Sequence, residues 1–323
     1  MQSTARARTV VLGTGGTIAG TSADPADNVG YRAAQLGVAQ LVAAIPGLDS
    51  AGLDGTGLEV EQVAQLDSKD MDFATWQRLA QRVAHHLARD EVSGIVVTHG
   101  TDTLEETAYF LQRVLAPAKP VVLTGAMRPA TALLADGTQN LLDAIGVARV
   151  EGARGVLVVF ASTIHSAFDV RKVHPYRLDP FESGEAGVVG RVEEGTLRVH
   201  RAWPAGHAIG LEAIAADPGT WPWVEIVSSH AGSGAAVVQA LCARGVRGLV
   251  VAGSGNGSVH HLLEAALRDA QRAGVTVVRS TRCTAGVIVE PSAGDANALP
   301  VASAATPVQA RIELMLELLA RQR

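Results

Sequence analysis

Short apolar runs, each closed by a polar or glycine-rich elbow and followed by a stretch of helical period, organise the first half of the chain. Residues 9–12 lead into Gly13-Thr14-Gly15-Gly16-Thr17, and 94–97 into Thr98-His99-Gly100-Thr101-Asp102-Thr103. Residues 119–123 lead into Thr124-Gly125-Ala126-Met127-Arg128-Pro129, and 155–160 into Ala161-Ser162-Thr163. The runs are rich in valine and do not alternate with polar residues, the pattern of strands buried on both faces of a parallel sheet. Over 74–89, Trp76, Leu79, Val83 and Leu87 recur at helical spacing and predict one buried face. A second helix is predicted from Asp102 or Thr103, either of which can cap it, to about Leu115, with Pro117 as the stop. A third is predicted over 136–150. Strands and helices alternating at this length imply right-handed βαβ crossovers and a doubly wound α/β layer.

The texture changes near residue 181. Alternating runs at 188–191 and 196–200 predict a hairpin. The following 20 or so residues lack a period and hold Pro204, Gly206, Gly210, Pro218 and Gly219. A second alternation then begins, with strands predicted at 224–227, 248–252 and 275–279 and helices at 234–243, 258–274 and 306–320. The expected fold is α/β: a large N-terminal doubly wound parallel-sheet domain over 1–203, a linker over 204–222, and a smaller C-terminal α/β domain over 223–323.

Composition narrows the function classes. Of 323 residues 47% are hydrophobic and 18% charged, enough apolar material for two cores and too much for a disordered chain. The net charge of −5, with no basic run, removes the electrostatic case for nucleic acid or an anionic membrane as partner. No stretch approaches the ~20 apolar residues of a membrane helix. The polar, basic start of the chain through Arg8 precedes only Val10-Val11-Leu12, too short for a signal segment. Cys242 and Cys283 are the only cysteines and sit in no zinc or CxxC spacing; both are expected as small buried hydrophobes, their number fits a reducing compartment or indifference to redox, and the expected location is the cytoplasm. His85-His86 are expected at a helix C-terminus, where imidazolium favours the dipole, and His260-His261 follow no metal pattern. No metal and no cofactor are expected.

In an open α/β sheet, ligands bind beyond the carboxyl ends of the strands. Two elbows there combine hydroxyls with flexible backbone. The first begins a GxGxxG fingerprint but has Ile18 where the third glycine belongs, and no lysine completes a phosphate loop. What it offers is a row of backbone N–H groups beside a hydroxyl, the parts of an oxyanion hole and a nucleophile. The same sequence also serves as a tight βα turn with a capping threonine.

Taken together the two elbows carry a resemblance. Thr14-Gly15-Gly16-Thr17-Ile18-Ala19-Gly20 and Thr98-His99-Gly100-Thr101-Asp102-Thr103-Leu104-Glu105-Glu106-Thr107-Ala108 are similar to segments of the bacterial-type L-asparaginases. Further pieces stand in the same order: Ser68-Lys69-Asp70-Met71, Gly125-Ala126-Met127-Arg128-Pro129, Ala135-Asp136-Gly137, Gly253-Ser254-Gly255-Asn256-Gly257 and Val277-Val278-Arg279-Ser280. The resemblance runs from residue 9 to about 315.

The resemblance implies hydrolysis of the side-chain amide of L-asparagine to aspartate and ammonia, with some activity on glutamine. It implies Thr17 as nucleophile, activated by Thr101, Asp102 and Lys172, and oriented by Tyr31 from a mobile loop over 22–30 that acts as a lid. Alone, Lys172 reads as a surface lysine and Tyr31 as a surface aromatic; the matched segments are what single them out. By the same resemblance Asp102 takes the substrate ammonium, Ser68 with the glycine backbone at Gly16 takes the carboxylate, and the main-chain carbonyl of Ala126 faces the leaving amide. His99 carries a structural role. Asn256 is implied to complete a neighbouring protomer's site in a homotetramer of intimate dimers. Lys69 departs from the glutamine many relatives place there, adding a cation near the substrate carboxylate and bearing on the choice between the two amides. An acid that the family brings from the neighbouring subunit has no match in register; Glu290 stands too early. Two further readings share parts of the pattern: a subunit that frees ammonia for tRNA amidation, and a sensor that binds asparagine without cleaving it.

Overall fold

The computed structural model describes residues 8–46, 57–290, 299–303 and 306–322. The polar start of the chain, up to Ala7, therefore lies outside the described residues. The chain divides into two compact units, Met1–Leu211 and Glu212–Arg323.

In the first unit, β1 (Arg8–Gly15), β2 (Leu58–Leu66), β3 (Val92–Thr98), β4 (Pro120–Thr124) and β5 (Gly155–Phe160) pair in parallel in the order β2-β1-β3-β4-β5. Val10, Val11, Leu12, Val96, Val97, Val122 and Val158 are fully buried, as the absence of alternation requires. Beyond β5, β6 (Thr163–Ser166) returns antiparallel. A separate ribbon, β7 (Arg171–Lys172) with β8 (Phe181–Glu182), follows. The sheet then ends in the hairpin β9 (Gly190–Glu193) and β10 (Thr196–Val199), turned by Glu194 and Gly195 at φ 49° and 73°.

The helices are α1 (Val38–Ala43), α2 (Phe73–Leu87), α3 (Leu104–Leu115) and α4 (Gly137–Ala148). Asp72 caps α2 by accepting from the Thr75 N–H at 2.7 Å. Trp76, Leu79 and Val83 face the core, but at the helix end His86, not Leu87, is the buried residue. Its Nε2 lies 2.7 Å from Glu61 and its Nδ1 accepts from Arg89 at 3.1 Å, so His86 belongs to an ion-pair cluster rather than serving the helix dipole alone. Ala116 closes α3 in the left-handed region, one residue before Pro117. Neither Thr103 nor Asp136 caps its helix with its side chain; both side chains bond elsewhere, as described below.

The second unit has β11 (Val224–Ser228), β12 (Gly248–Gly253) and β13 (Thr276–Thr281), parallel and in chain order, with α5 (Ala236–Ala243), α6 (His261–Arg272) and α7 (Pro307–Arg321). Leu249, Val251, Leu263, Leu267 and Val277 form its core. Helix α6 starts three residues later than its period predicts, because Ser254 and Ser258 bridge backbone to backbone and hold the chain out of the helix. Between the sheets, Ile209 and Gly210 donate to the carbonyls of Arg113 and Val114, and short turns occupy Leu211–Ile214 and Pro218–Thr220. Both thiols are free. Cys283 is exposed and Cys242 half-buried, so the expectation of two buried small hydrophobes fails. No helix among the described residues is long and apolar enough to cross a membrane.

Candidate active site

The order β2-β1-β3-β4-β5 reverses direction between β1 and β3, so the loops leaving these neighbouring strands diverge and open a crevice at their carboxyl ends. Both hydroxyl-bearing elbows leave from there. Gly16 has φ 82°, and a Cβ on it would lie 2.3 Å from the Gly100 nitrogen, so the elbows touch backbone to backbone. A Cβ on Gly100 would lie 2.4 Å from the Ser68 Oγ. The Thr14 hydroxyl ties the pair, donating to the Thr98 carbonyl at 2.8 Å.

Thr17 follows immediately, on the short turn Thr17–Ala19, 8% exposed. Its Oγ1 lies 2.6 Å from the Tyr31 hydroxyl. Burial raises the Tyr31 pKa above its ordinary value of 10.0, against the opposing pull of the Thr17 hydrogen bond, with Asp67 and Asp102 adding to the rise. Tyr31 is therefore a neutral phenol at physiological pH. The loop 22–30 leading to it is ordered by its own side chains. Asp24 accepts from the Ala26 N–H, and Asp27 from those of Val29 and Gly30. A two-residue bridge, Thr21 with Arg32, closes its neck. Ser22 and Thr131 exchange bonds at 2.8 and 3.2 Å, and Leu133 donates to Pro25.

The second centre forms around Lys172. Its Nζ donates to Thr101 Oγ1 at 2.9 Å and to Asp102 Oδ1 at 2.6 Å. Its backbone N–H donates to the Glu105 carboxylate. Ser68 is buried; its Oγ accepts from the Asp102 N–H at 3.3 Å, and its carbonyl accepts from the Thr103 hydroxyl at 2.8 Å. That second bond is where the expected α3 cap goes. The Lys69 ammonium pairs with Asp70, and the side chain is 61% exposed. Ala126 is buried between pinned peptides. Asp136 accepts from the N–H groups of Met127 and Arg128 at 2.9 and 3.0 Å, and Asn140 donates to the Gly125 carbonyl at 3.0 Å. His99 is buried and neutral, its pKa pushed down to about 4 by burial. It donates from Nδ1 to the Gly100 carbonyl at 2.7 Å, with Thr107 on Nε2.

Thus Thr17 stands with Tyr31, and Thr101, Asp102, Lys172 and Ser68 stand together, the two groups joined through the Gly16–Gly100 contact. Asn256 belongs to the second unit, where its amide is tied to both polar backbone atoms of Val289 at 2.8 and 2.7 Å. Sequence reasoning did not single out Glu105, Asp136 or Asn140 as site residues. Glu105 reads as one of two acids in a first helical turn, where acids are ordinary. Among the described residues no cluster of three His, Cys, Asp or Glu could hold a metal ion.

Family models match both units: "Asparaginase, N-terminal" over residues 8–205 and "Glutaminase/Asparaginase C-terminal domain" over 223–323. The chain is 39% identical over 311 residues to L-asparaginase 2 of Bacillus subtilis, covering 95% of this chain and 81% of that protein. It is 38% identical over 317 residues to the glutaminase-asparaginase of Pseudomonas fluorescens, covering 97% and 86%. Among solved structures, the probable cytoplasmic L-asparaginase from Campylobacter jejuni superposes with a TM-score of 0.88 at 35% identity, covering 97% of this chain and 95% of that one.

Proposed function

The chain belongs to the asparaginase family of amidohydrolases, and on that premise we propose that it hydrolyses the side-chain amide of L-asparagine through an ester on Thr17, with glutamine as a side substrate. The observation that carries this reading is the meeting of two hydroxyl centres at one switch point: Thr17 with Tyr31 at 2.6 Å, and Thr101 with Lys172 at 2.9 Å.

In the first half-reaction Thr17 Oγ1 bonds to the amide carbon and the C–N bond breaks. The hydroxyl proton ends on the departing nitrogen, giving ammonia and an ester. Tyr31 is the group placed to carry that proton. A neutral phenol is no resting base, but it can accept the Thr17 proton as it gives up its own. In the second half-reaction water adds to the ester carbon and the proton returns to Thr17, releasing aspartate. Lys172 donates to Thr101, so the Thr101 hydroxyl proton is turned away from the ammonium and polarised by it. That proton is available to the reacting oxygen or to water.

Asp102 receives the substrate ammonium while one of its oxygens stays on Lys172. Ser68, whose oxygen already accepts from Asp102 N–H, keeps its own proton for the substrate carboxylate, beside the Gly16 backbone. The Ala126 carbonyl, on a loop pinned by Asp136 and Asn140, takes the leaving amide. Asn256 enters a neighbouring protomer's pocket as part of a loop fixed to Val289, in a homotetramer of intimate dimers. Residence in the cytoplasm belongs to the same proposal; the Campylobacter relative carries that word in its name.

The test is ammonia release from asparagine and glutamine by the purified chain, with Thr17→Ala beside it. Wild type should turn over asparagine, and the variant should lose at least about 10³-fold in kcat. Rapid quenching and mass spectrometry should find the aspartyl ester on Thr17. No ammonia from wild type, or full turnover in Thr17→Ala, ends the reading.

A further inference from the structure

The side chain of Lys172 is a flexible four-carbon stem, and its ammonium must hold two acceptors at once, Thr101 at 2.9 Å and Asp102 at 2.6 Å. The ribbon that carries it is short: Lys172 pairs with Phe181 in β8 and only one further register pair supports it. On the other side its backbone N–H meets Glu105. Glu105 lies in the first turn of α3, three residues beyond Asp102, which precedes the capping position Thr103. One helix end therefore grips the same lysine twice, by its ammonium through Asp102 and by its main chain through Glu105.

We propose that Glu105 is a positioning residue for Lys172, holding the lysine's main chain so that its ammonium stays between Thr101 and Asp102. This rests on the reading that Lys172 serves the reaction. A carboxylate in the first turn of a helix is ordinarily favoured by the dipole. Here the opposite happens: burial drives the Glu105 pKa up to about 7. Among its neighbours, the Lys172 N–H opposes the rise, Glu106 on α3 adds to it, and Arg171 and the Lys172 ammonium on β7 oppose it. Keeping an acid in so costly a place fits a group retained for what it holds. The ionised form is the stronger acceptor for the Lys172 N–H, so the grip tightens as pH rises through neutrality.

Steady-state kinetics on asparagine across about pH 5.5 to 8.5 test this in wild type, Glu105→Gln, Glu105→Ala and Lys172→Met. Wild-type kcat should fall as pH drops through about 7. Glu105→Gln keeps an acceptor oxygen without the charge, and its profile should be flat at the wild-type acid level. Glu105→Ala should lose about 10- to 100-fold in kcat with KM within about twofold. A Glu105→Gln profile that overlays the wild type overturns the proposal even if Glu105→Ala does not fold, and so does wild-type kcat in a folded Glu105→Ala. Lys172→Met separates the two levels. If it is inactive while Glu105→Ala is unimpaired, the positioning role alone is wrong. If Lys172→Met turns over normally, the role given to the lysine is wrong, and the positioning role with it.

Discussion

Each unit sends a glycine-rich loop off the end of a central parallel strand, and only the first of them packs a buried hydroxyl against a second elbow. Gly13-Thr14-Gly15-Gly16-Thr17 leaves β1; Gly253-Ser254-Gly255-Asn256-Gly257 leaves β12. Both hold glycines at positive φ, 105° and 82° at Gly15 and Gly16, 52° and 77° at Gly255 and Gly257. Their surroundings differ. The first lies where strand order reverses, packs against a second elbow and presents a buried hydroxyl to a phenol. The second lies in a sheet whose order, β11-β12-β13, never reverses. Its polar groups serve its own loop: Ser254 bridges Ser258, the Gly255 carbonyl accepts from Thr281, and Asn256 binds Val289. Composition makes an elbow; topology decides what it faces.

The sharpest way to break that comparison is to put the same methyl group on each loop. In Gly16→Ala the new carbon would sit 2.3 Å from backbone that cannot move aside, at a φ of 82°. The expected cost is at least about 3 kcal/mol with loss of turnover. In Gly255→Ala, no atom of the described residues lies within 4 Å, so only the left-handed backbone opposes it. About 1 kcal/mol is expected there. Denaturant midpoints decide; equal losses at the two sites would erase the distinction.

A second prediction concerns stability at the candidate site. The Glu105 carboxyl has an ordinary pKa of 4.5 and one of about 7 when folded. The folded chain thus binds that proton more tightly, and stability falls as pH rises through the interval. Glu105→Gln removes this loss. The variant should match wild type at about pH 4 and exceed it by up to about 3 kcal/mol at about pH 8. A variant less stable than wild type at the higher pH would contradict it.

The smallest effect is expected at the rim. The resemblance places the Lys69 charge beside the substrate carboxylate, but its ammonium is held by Asp70 in solvent. Exposed pairs contribute little. The kcat/KM ratio for asparagine over glutamine should therefore shift by about twofold in Lys69→Gln. A ratio that stays put removes Lys69 from specificity altogether.

What the sequence made legible follows its strongest periodicities. The fully buried strands β1, β3, β4 and β5 announce themselves because nothing polar interrupts them. Strand β2, at the sheet edge, reads Leu-Glu-Val-Glu-Gln-Val-Ala-Gln-Leu and buries only Val63, so its apolar signal is diluted and it escapes notice. Helix α1, at six residues, is too short to show a period. The nucleophile candidate Thr17 and its partner elbow stand out from local chemistry alone. Tyr31 and Lys172 do not, since they reach the site from distant segments and are found only through the family's pattern. Glu105 escapes because its contact is with a main-chain N–H 67 residues away, and no side-chain pattern encodes that.

The closed neck at Thr21 and Arg32 has a mechanical corollary. The bridge fixes both ends of the 22–30 loop, and Ser22 and Pro25 are tied in turn to Thr131 and Leu133. Tyr31 sits at that neck. Anchorage there thus sets where the phenol meets the Thr17 oxygen, and the exposed residues in between have no share in fixing that encounter.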